Sequence, residues 1–435
     1  MTPPSNIALQ SLKLIFLFSA INAIYVSLLQ AFNLSDQVSY IFSKDQFGDF
    51  IKVVLSYPGG KDLMVNGNFG LLELFREYAN HNPYSGMAGF SSNGITHFHL
   101  PPFTTLISLL SLNLMWFIPP QIVFYSSVFL VTIGLVLLTK FVTQDSKQSW
   151  VWTACLLCSY PFLFALQRGN LFSLFTTVLA SFFVISILRK KKVLLGLLCL
   201  ALAVNIRPNI IFLLPALVLL PKEFWLRKVM IFVISSLIIF FLSVWIDASL
   251  YPDYTLEIFL KGFAIYHSLY VAGGGGDAYN SSLFGLLKAL SGYSKRAEII
   301  GLIVGVLVTG FVVFGSLAKK IDKTTSIFLL CIACMLSTAI FADYHLLLFF
   351  LPLFAMSMEM EDGPSTFSEK RSMVNISQAI IFFTCIFLLS PKNYWFVDDV
   401  SLLILLNPIV AVLSTVTLIF YRVTRIPKKE ISKGI

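Results

Sequence analysis

Charged residues are scarce in this chain of 435 residues: Asp, Glu, Lys and Arg together make up 12%, about half of their share in soluble proteins. Hydrophobic residues make up 57%, and 42 residues are phenylalanine. A folded interior cannot hide that much apolar surface from water, so part of it must contact lipid. The composition therefore excludes a soluble enzyme, a disordered chain and a small disulfide-stapled secreted module.

Residues that commonly bind metals are also few, with 6 Cys and 5 His in the whole chain. Four cysteines form two C-x-x-C pairs inside apolar stretches, at 155/158 and 331/334, where packing is favoured over a redox or metal role. His97 and His99 share a face of an extended segment, but two ligands alone are a weak metal signal and hydrogen bonding is favoured. We predict no metal and no cofactor.

The chain is basic, with 31 Lys and Arg against 22 Asp and Glu. No basic stripe is interleaved with aromatic residues as in nucleic-acid-binding surfaces, so nucleic acid is not an expected partner. In a membrane protein, Lys and Arg collect on the cytosolic side of short loops. The excess is therefore interpreted as a signal of orientation.

Apolar stretches near the length of a membrane-spanning helix, about 20 residues, recur along the chain. Twelve predicted spans lie at 14–31, 121–141, 151–166, 171–188, 193–206, 209–220, 229–246, 297–317, 324–341, 344–358, 373–390 and 401–421. A further stretch, 103–118, is short and lies between two Pro-Pro pairs. If it crossed, every basic cluster after it would face outward, so we expect it to lie on or dip into the outer face.

The predicted fold is thus an all-α polytopic membrane protein, a single domain over 1–435 with about 12 transmembrane helices. Its cytosolic loops are short, whereas two outer loops, 32–100 and 247–296, are long. Any chemistry is therefore expected on the outer side. The second long loop contains four consecutive glycines, 273–276, followed by Asn280, which fits either a flexible lid or a plain linker.

The first outer loop contains six carboxylates, one of which lies shortly after the first span. This residue, Asp49, is in a helical-looking stretch at 47–52, where it would lie near the membrane surface. A carboxylate there could take a proton from an acceptor hydroxyl. A solvated loop acid is the alternative for any one of the six.

Polar groups gather at three turns between predicted spans, all on the outer side. The turns are Gln167-Arg168-Gly169-Asn170, Asn205-Ile206-Arg207-Pro208-Asn209 and Asp343-Tyr344-His345. A charged side chain at membrane depth costs about 2.5–3.5 kcal/mol on insertion scales, so each one requires a reason. One such turn could simply cap helices, but three on one face favour a shared cavity. Arg207, Arg168 and His345 among helix ends would attract an anion such as a phosphate.

The order of these features resembles one family along nearly the whole chain. The features are an early acid in the first outer loop, His99-Leu100-Pro101-Pro102 near its end, and the three polar turns. The sequence is similar to the polyprenol-phosphate-mannose-dependent mannosyltransferases of glycosyltransferase family 87, in the GT-C superfamily. The resemblance is strongest over 164–225. This chain has Leu100-Pro101-Pro102 where the family commonly has Tyr-Pro-Pro, and Arg207-Pro208 where it has Lys-Pro.

The resemblance implies a GT-C bundle that transfers a hexose, with mannose as first choice, from a polyprenyl-phosphate donor to a lipid or glycan acceptor. Asp49, in Gly48-Asp49-Phe50, matches the position of the family's catalytic base. Arg207 is the first choice for the residue that binds the donor phosphate, and His345 and Arg168 are the next choices. The expected substrate-binding residues are Gln167, Asn170, His99, Asn280, Asp343 and Tyr344.

Two other functions fit a polytopic membrane protein. A transporter is one alternative. The two halves of a transporter sequence are often similar to each other, whereas the two halves of this chain are not. A polysaccharide polymerase or ligase with a diphosphate-linked lipid donor is the other. The expected location is the bacterial inner (plasma) membrane with the site facing the periplasm, and an endoplasmic reticulum protein with a lumenal site would have the same topology.

Overall fold

Helices account for most of the residues that the computed structural model of this protein describes. The described residues are 101–104, 106–107, 120–143, 146–250, 266–273, 280–361, 368–390, 396–397 and 400–424, with the single residues 17, 20, 24, 257, 260, 263 and 264. Asp49, His99 and the first outer loop lie outside them. The predictions made for that loop are therefore not addressed by the structure.

Twelve α-helices and two very short strands follow one another along the described chain. The first six helices are α1 (Pro120–Thr143), α2 (Ser146–Leu157), α3 (Tyr160–Arg168), α4 (Leu171–Arg189), α5 (Val193–Ile206) and α6 (Trp225–Leu250). The later ones are α7 (Leu283–Ser291), α8 (Lys295–Leu317), α9 (Lys323–Leu336), α10 (Phe350–Glu361), α11 (Ser368–Leu389) and α12 (Leu402–Thr424). Strands β1 (Phe396–Val397) and β2 (Val400–Ser401) form an antiparallel pair.

Tighter or wider helical segments join several of these helices. In the described part of the chain, 3₁₀ helices are found at Pro208–Leu219, Lys222–Phe224 and Asp343–Phe349, and His267–Ala272 is π-helical. Pro208 and Pro215 have no N–H to donate, and their rings crowd the preceding turn. These two prolines explain why the apolar segment 208–219 does not continue α5 as an ordinary α-helix.

Among the helices that the structure describes, α1, α4, α6, α8 and α12 are long and apolar enough to cross a membrane. The pair α2 and α3, bent by 58°, would be a sixth span if it is counted as one. Large apolar side chains on these helices are exposed, such as Phe241 at 62% and Trp245 at 67% on α6. Side chains of this kind require lipid around them. The chain is therefore an integral, predominantly α-helical membrane protein, as its composition predicts.

The predicted number of about 12 spans is not established by these helices and stays a prediction. Four predicted spans correspond to shorter apolar helices: α5, the segment Pro208–Leu219, α9 and the part of α11 from Ile376 to Leu389. The segment predicted at 344–358 begins as 3₁₀ helix and continues as α10. A helix that is surrounded by other helices can be shorter than the full thickness of the lipid.

The helices divide into an inner and a peripheral group. All residues of α9 from Thr324 to Leu336 are buried, and 72% of the most apolar stretch of α4 is buried against 11% for α6. Helix α8 approaches α9 closely through two glycines: a Cβ atom on Gly301 would lie 2.9 Å from the Leu336 carbonyl oxygen, and one on Gly305 2.5 Å from the Ser337 Cβ. Small residues four positions apart allow such contacts between membrane helices.

Both C-x-x-C pairs lie within this packed interior. Cys331 and Cys334 are fully buried in α9, and the Cys331 thiol donates to the Leu348 carbonyl at 3.5 Å. Cys155 is buried in α2, and Cys158 follows that helix half-buried. These positions support packing as the role of the four cysteines.

Candidate functional site

The first polar turn is short because two residues cap two helices in succession. Gly169 ends α3 in the left-handed conformation at φ 70°, which glycine adopts at no steric cost. Asn170 then begins α4, its side-chain oxygen accepting from the Ser173 N–H at 3.1 Å. Arg168 and Asn170 are both buried. The backbone of Gln167 belongs to α3, and its side chain lies outside the described part.

Arg207 occupies the second turn, between α5 and the 3₁₀ helix that Pro208 begins. Its backbone is extended, at φ −137°, as expected for a residue that precedes proline. The guanidinium donates to the Ser173 hydroxyl at 3.2 Å, which joins the second turn to the start of α4. Within the described ranges no carboxylate forms an ion pair with Arg207. Its positive charge is thus half-buried without a counter-ion there.

His345 lies in the third turn, where its ring packs against two aromatic neighbours. The ring centroid is 5.1 Å from that of Phe341 and 4.6 Å from that of Tyr344. The side chain is buried, and neither ring nitrogen has a hydrogen-bond partner among the described residues. The Arg207 charge interacts with the ring electrostatically, which places the second and third turns side by side.

Asp343, two residues earlier, is in the opposite situation. It is fully buried, and its carboxylate accepts from the Tyr160 hydroxyl at 3.1 Å, from the Asn407 amide at 3.2 Å and from the Ser281 hydroxyl. The Asn407 amide also donates to Ser281 at 3.0 Å. We call these four residues the Asp343 network. It connects α3, the end of the second outer loop, the third turn and α12.

Asn280 fixes the second outer loop to the same turn. Its amide donates to the Ala339 carbonyl at 2.6 Å and accepts from the Phe341 N–H at 3.0 Å and the Ser282 N–H at 3.1 Å. The side chain is 2% exposed. These bonds give Asn280 a structural role, and its predicted contact with substrate stays a prediction. Tyr344 likewise stacks on Phe164 of α3, with ring centroids 5.9 Å apart.

Two polar residues near this end of the bundle are not among those predicted from the sequence. Asn407 lies inside an apolar helix, next to Pro408, and no local signal connects it with Asp343. Asp247 is in the last turn of α6, where it is fully buried and neither carboxylate oxygen has a partner in the described part of the chain. The sequence signal for Asp247 is an acid directly after the predicted span 229–246.

The structure thus brings together the three polar turns and the second outer loop. Arg207 donates to Ser173 at the start of α4, and its charge acts electrostatically on the His345 ring of the third turn. Asp343 and Asn280 anchor the surroundings. Among the described residues, no group of three or more His, Cys, Asp or Glu side chains could hold a metal ion. The chemistry available is binding of an anionic or polar group by Arg207 and His345.

Comparisons with models of protein families, with curated proteins and with solved structures find no match to this chain. Its function must therefore be argued from its own residues.

Proposed function

We propose that the chain is a membrane glycosyltransferase that moves a hexose, with mannose as first choice, from a polyprenyl-phosphate donor to an acceptor hydroxyl outside the cytosol. The acceptor would be a lipid or a glycan. The proposal combines the resemblance to glycosyltransferase family 87 with the geometry of the three polar turns. It assigns the protein to the bacterial inner membrane, with the site facing the periplasm.

One observation carries most of the support. Arg207 has no carboxylate partner within the described ranges, and the buried His345 ring beside it has both nitrogens unpaired there. Buried polar groups in native proteins are nearly always hydrogen-bonded, so two unpaired ring nitrogens beside a positive charge without a counter-ion support a site for a ligand or ion. A phosphate oxygen would satisfy both residues, and it is the group that a polyprenyl-phosphate sugar brings to the membrane surface.

The proposed reaction is a single displacement. The acceptor oxygen forms a bond to the anomeric carbon of the sugar while the bond from that carbon to the phosphate oxygen breaks, which inverts the anomeric centre. Asp49 takes the proton from the acceptor hydroxyl. The phosphate leaves with the electron pair as an anion, so it needs no general acid. Arg207, with His345 and Arg168, would stabilise the charge that develops on it.

The test is a transfer assay with the purified protein in lipid nanodiscs. A radiolabelled polyprenyl-monophosphate mannose is supplied with a membrane extract as acceptor, and labelled product is measured. We expect transfer by the natural protein and none by Asp49→Asn, because an amide cannot accept the acceptor's proton. Asp36→Asn, which alters another acid of the same loop, is the matched control and should keep its activity.

Other outcomes would point to the alternatives. Transfer only from a diphosphate-linked donor would indicate a polymerase or ligase, and substrate flux across a sealed bilayer without transfer would indicate a transporter. Retained turnover in Asp49→Asn would remove that residue from the role of base.

A further inference from the structure

A second cationic site lies at the opposite end of the bundle from the polar turns. A cavity of about 310 Å³ opens where α4 ends, α9 begins and α10 ends. Four cations and one carboxyl group line it: Arg189, Lys190, Lys191, Lys323 and Glu359. These basic residues belong to the clusters that the sequence assigns to the cytosolic membrane surface.

The backbone of one lysine in this lining, Lys190, has an unusual conformation. Lys190 ends α4 in the left-handed region at φ 53°, where glycine is the usual residue because it has no Cβ. Arg189, the preceding residue, donates to the Val142 carbonyl and so holds this end of α4 against α1. The left-handed turn at Lys190 and the bond from Arg189 together fix where these two cations lie at the end of α4.

Glu359 supplies the single carboxyl group of this lining, which caps α9 and leaves the four cations in excess. It accepts from the N–H groups of Lys323 at 2.9 Å and Thr324 at 3.3 Å, and from the Thr324 hydroxyl at 2.7 Å. In the part of the chain that the structure describes, no carboxylate forms an ion pair with Lys190 or Lys191. The cavity therefore has an excess of positive charge and favours an anionic ligand.

The remaining wall of the cavity is apolar and consists of Leu188, Ala355 and Met358. A cationic lining beside an apolar wall at a membrane surface suits an amphiphile, whose phosphate meets the lysines while its first acyl carbons contact the wall. We propose that this cavity binds the phosphate of an anionic phospholipid from the cytosolic leaflet. A soluble phosphate would gain nothing from the apolar wall.

The test compares lipid retention by the whole protein in nanodiscs of phosphatidylcholine with and without phosphatidylglycerol. Native mass spectrometry counts retained phosphatidylglycerol, and thermal unfolding reports its stabilising effect. We expect each of Lys190→Gln and Lys191→Gln to weaken phosphatidylglycerol binding roughly fivefold. Lys190→Gly should show the same loss while suiting the left-handed backbone, which guards against a variant that simply fails to fold.

Lys192→Gln is the matched control, because Lys192 is also left-handed at φ 53° and lies two positions away but does not line the cavity. It should bind phosphatidylglycerol like the natural protein. An equal loss of binding in Lys192→Gln would show that general surface charge causes the effect, and it would overturn the proposal. So would a natural protein with no preference for phosphatidylglycerol, or one that inorganic phosphate in pure phosphatidylcholine stabilises equally well.

Discussion

Two residues of the same turn, Asp343 and His345, differ in how completely their polar groups are partnered. Asp343 accepts three hydrogen bonds from distant elements, whereas both His345 ring nitrogens lack partners among the described residues and Arg207 beside it has no counter-ion there. A satisfied buried network holds elements together, while an unsatisfied group next to it is costly unless something binds it. The comparison separates a stabilising role for the Asp343 network from the binding role that we propose for Arg207 and His345.

The largest effect is expected from Arg207→Ala. Loss of one fixed group that stabilises developing charge lowers catalytic rates by about 10²–10³, and here the donor should also bind more weakly. Folding should be nearly unchanged, because the one described hydrogen bond of the side chain joins it to Ser173. The measurement is the initial rate of transfer against donor concentration. Arg296→Ala, at the exposed last position of the second outer loop, is the control.

Unchanged dependence on donor concentration in Arg207→Ala would show that Arg207 only terminates a helix. The comparison between Asp343 and His345 would then no longer include a role in binding.

The next largest effect is expected on stability, from Asp343→Ala. Three buried donors would lose their acceptor, which should lower the free energy of unfolding by about 2–4 kcal/mol. Tyr160→Phe removes a single donor and should cost only about 1 kcal/mol. Unfolding in detergent, followed by circular dichroism, measures both. If Asp343→Ala kept its stability yet lost transfer, Asp343 would be a substrate ligand and the comparison would fail.

The parts of this architecture that could be predicted are those with local signals. Helix α5 has the predicted bounds, 193–206, and α4 differs from its prediction by one residue, because Pro208, Gly169 and Asn170 mark the ends. The predicted span 324–341, in contrast, ends as helix at Leu336. The residues after it form a turn that Asn280 binds, 59 positions away from Ala339.

The candidate site was predictable only as a collection of residue types. Sequence placed the polar turns on one side, but it could not separate Asp343 from His345, since their difference depends on Tyr160, Ser281 and Asn407. Those partners are 183, 62 and 64 positions away from Asp343. Asn407 carries no local mark of its role. Such long-range hydrogen bonds cannot be predicted from one sequence alone.

The smallest effect concerns Glu359, a partnered group on the opposite side of the bundle from the polar turns. It lies beyond the predicted span 344–358, and burial, together with the nearby Asp322, raises its pKa from 4.5 to about 7. Arg422 in turn pairs with Asp322. Between these two pKa values the folded protein holds a proton that the unfolded chain releases, so stability is lost as pH rises from about 5 to about 8.

The loss should be at most about 3.5 kcal/mol, since one pKa unit corresponds to about 1.4 kcal/mol. Thermal unfolding of the natural protein and of Glu359→Gln across this pH range measures it. The neutral amide cannot ionise, so the variant should show a flatter pH profile and exceed the natural protein in stability at pH 8. Parallel profiles for the two proteins would mean that Glu359 stays ionised. Its hydrogen bonds would then stabilise the charged carboxylate, as the hydrogen bonds to Asp343 stabilise that one.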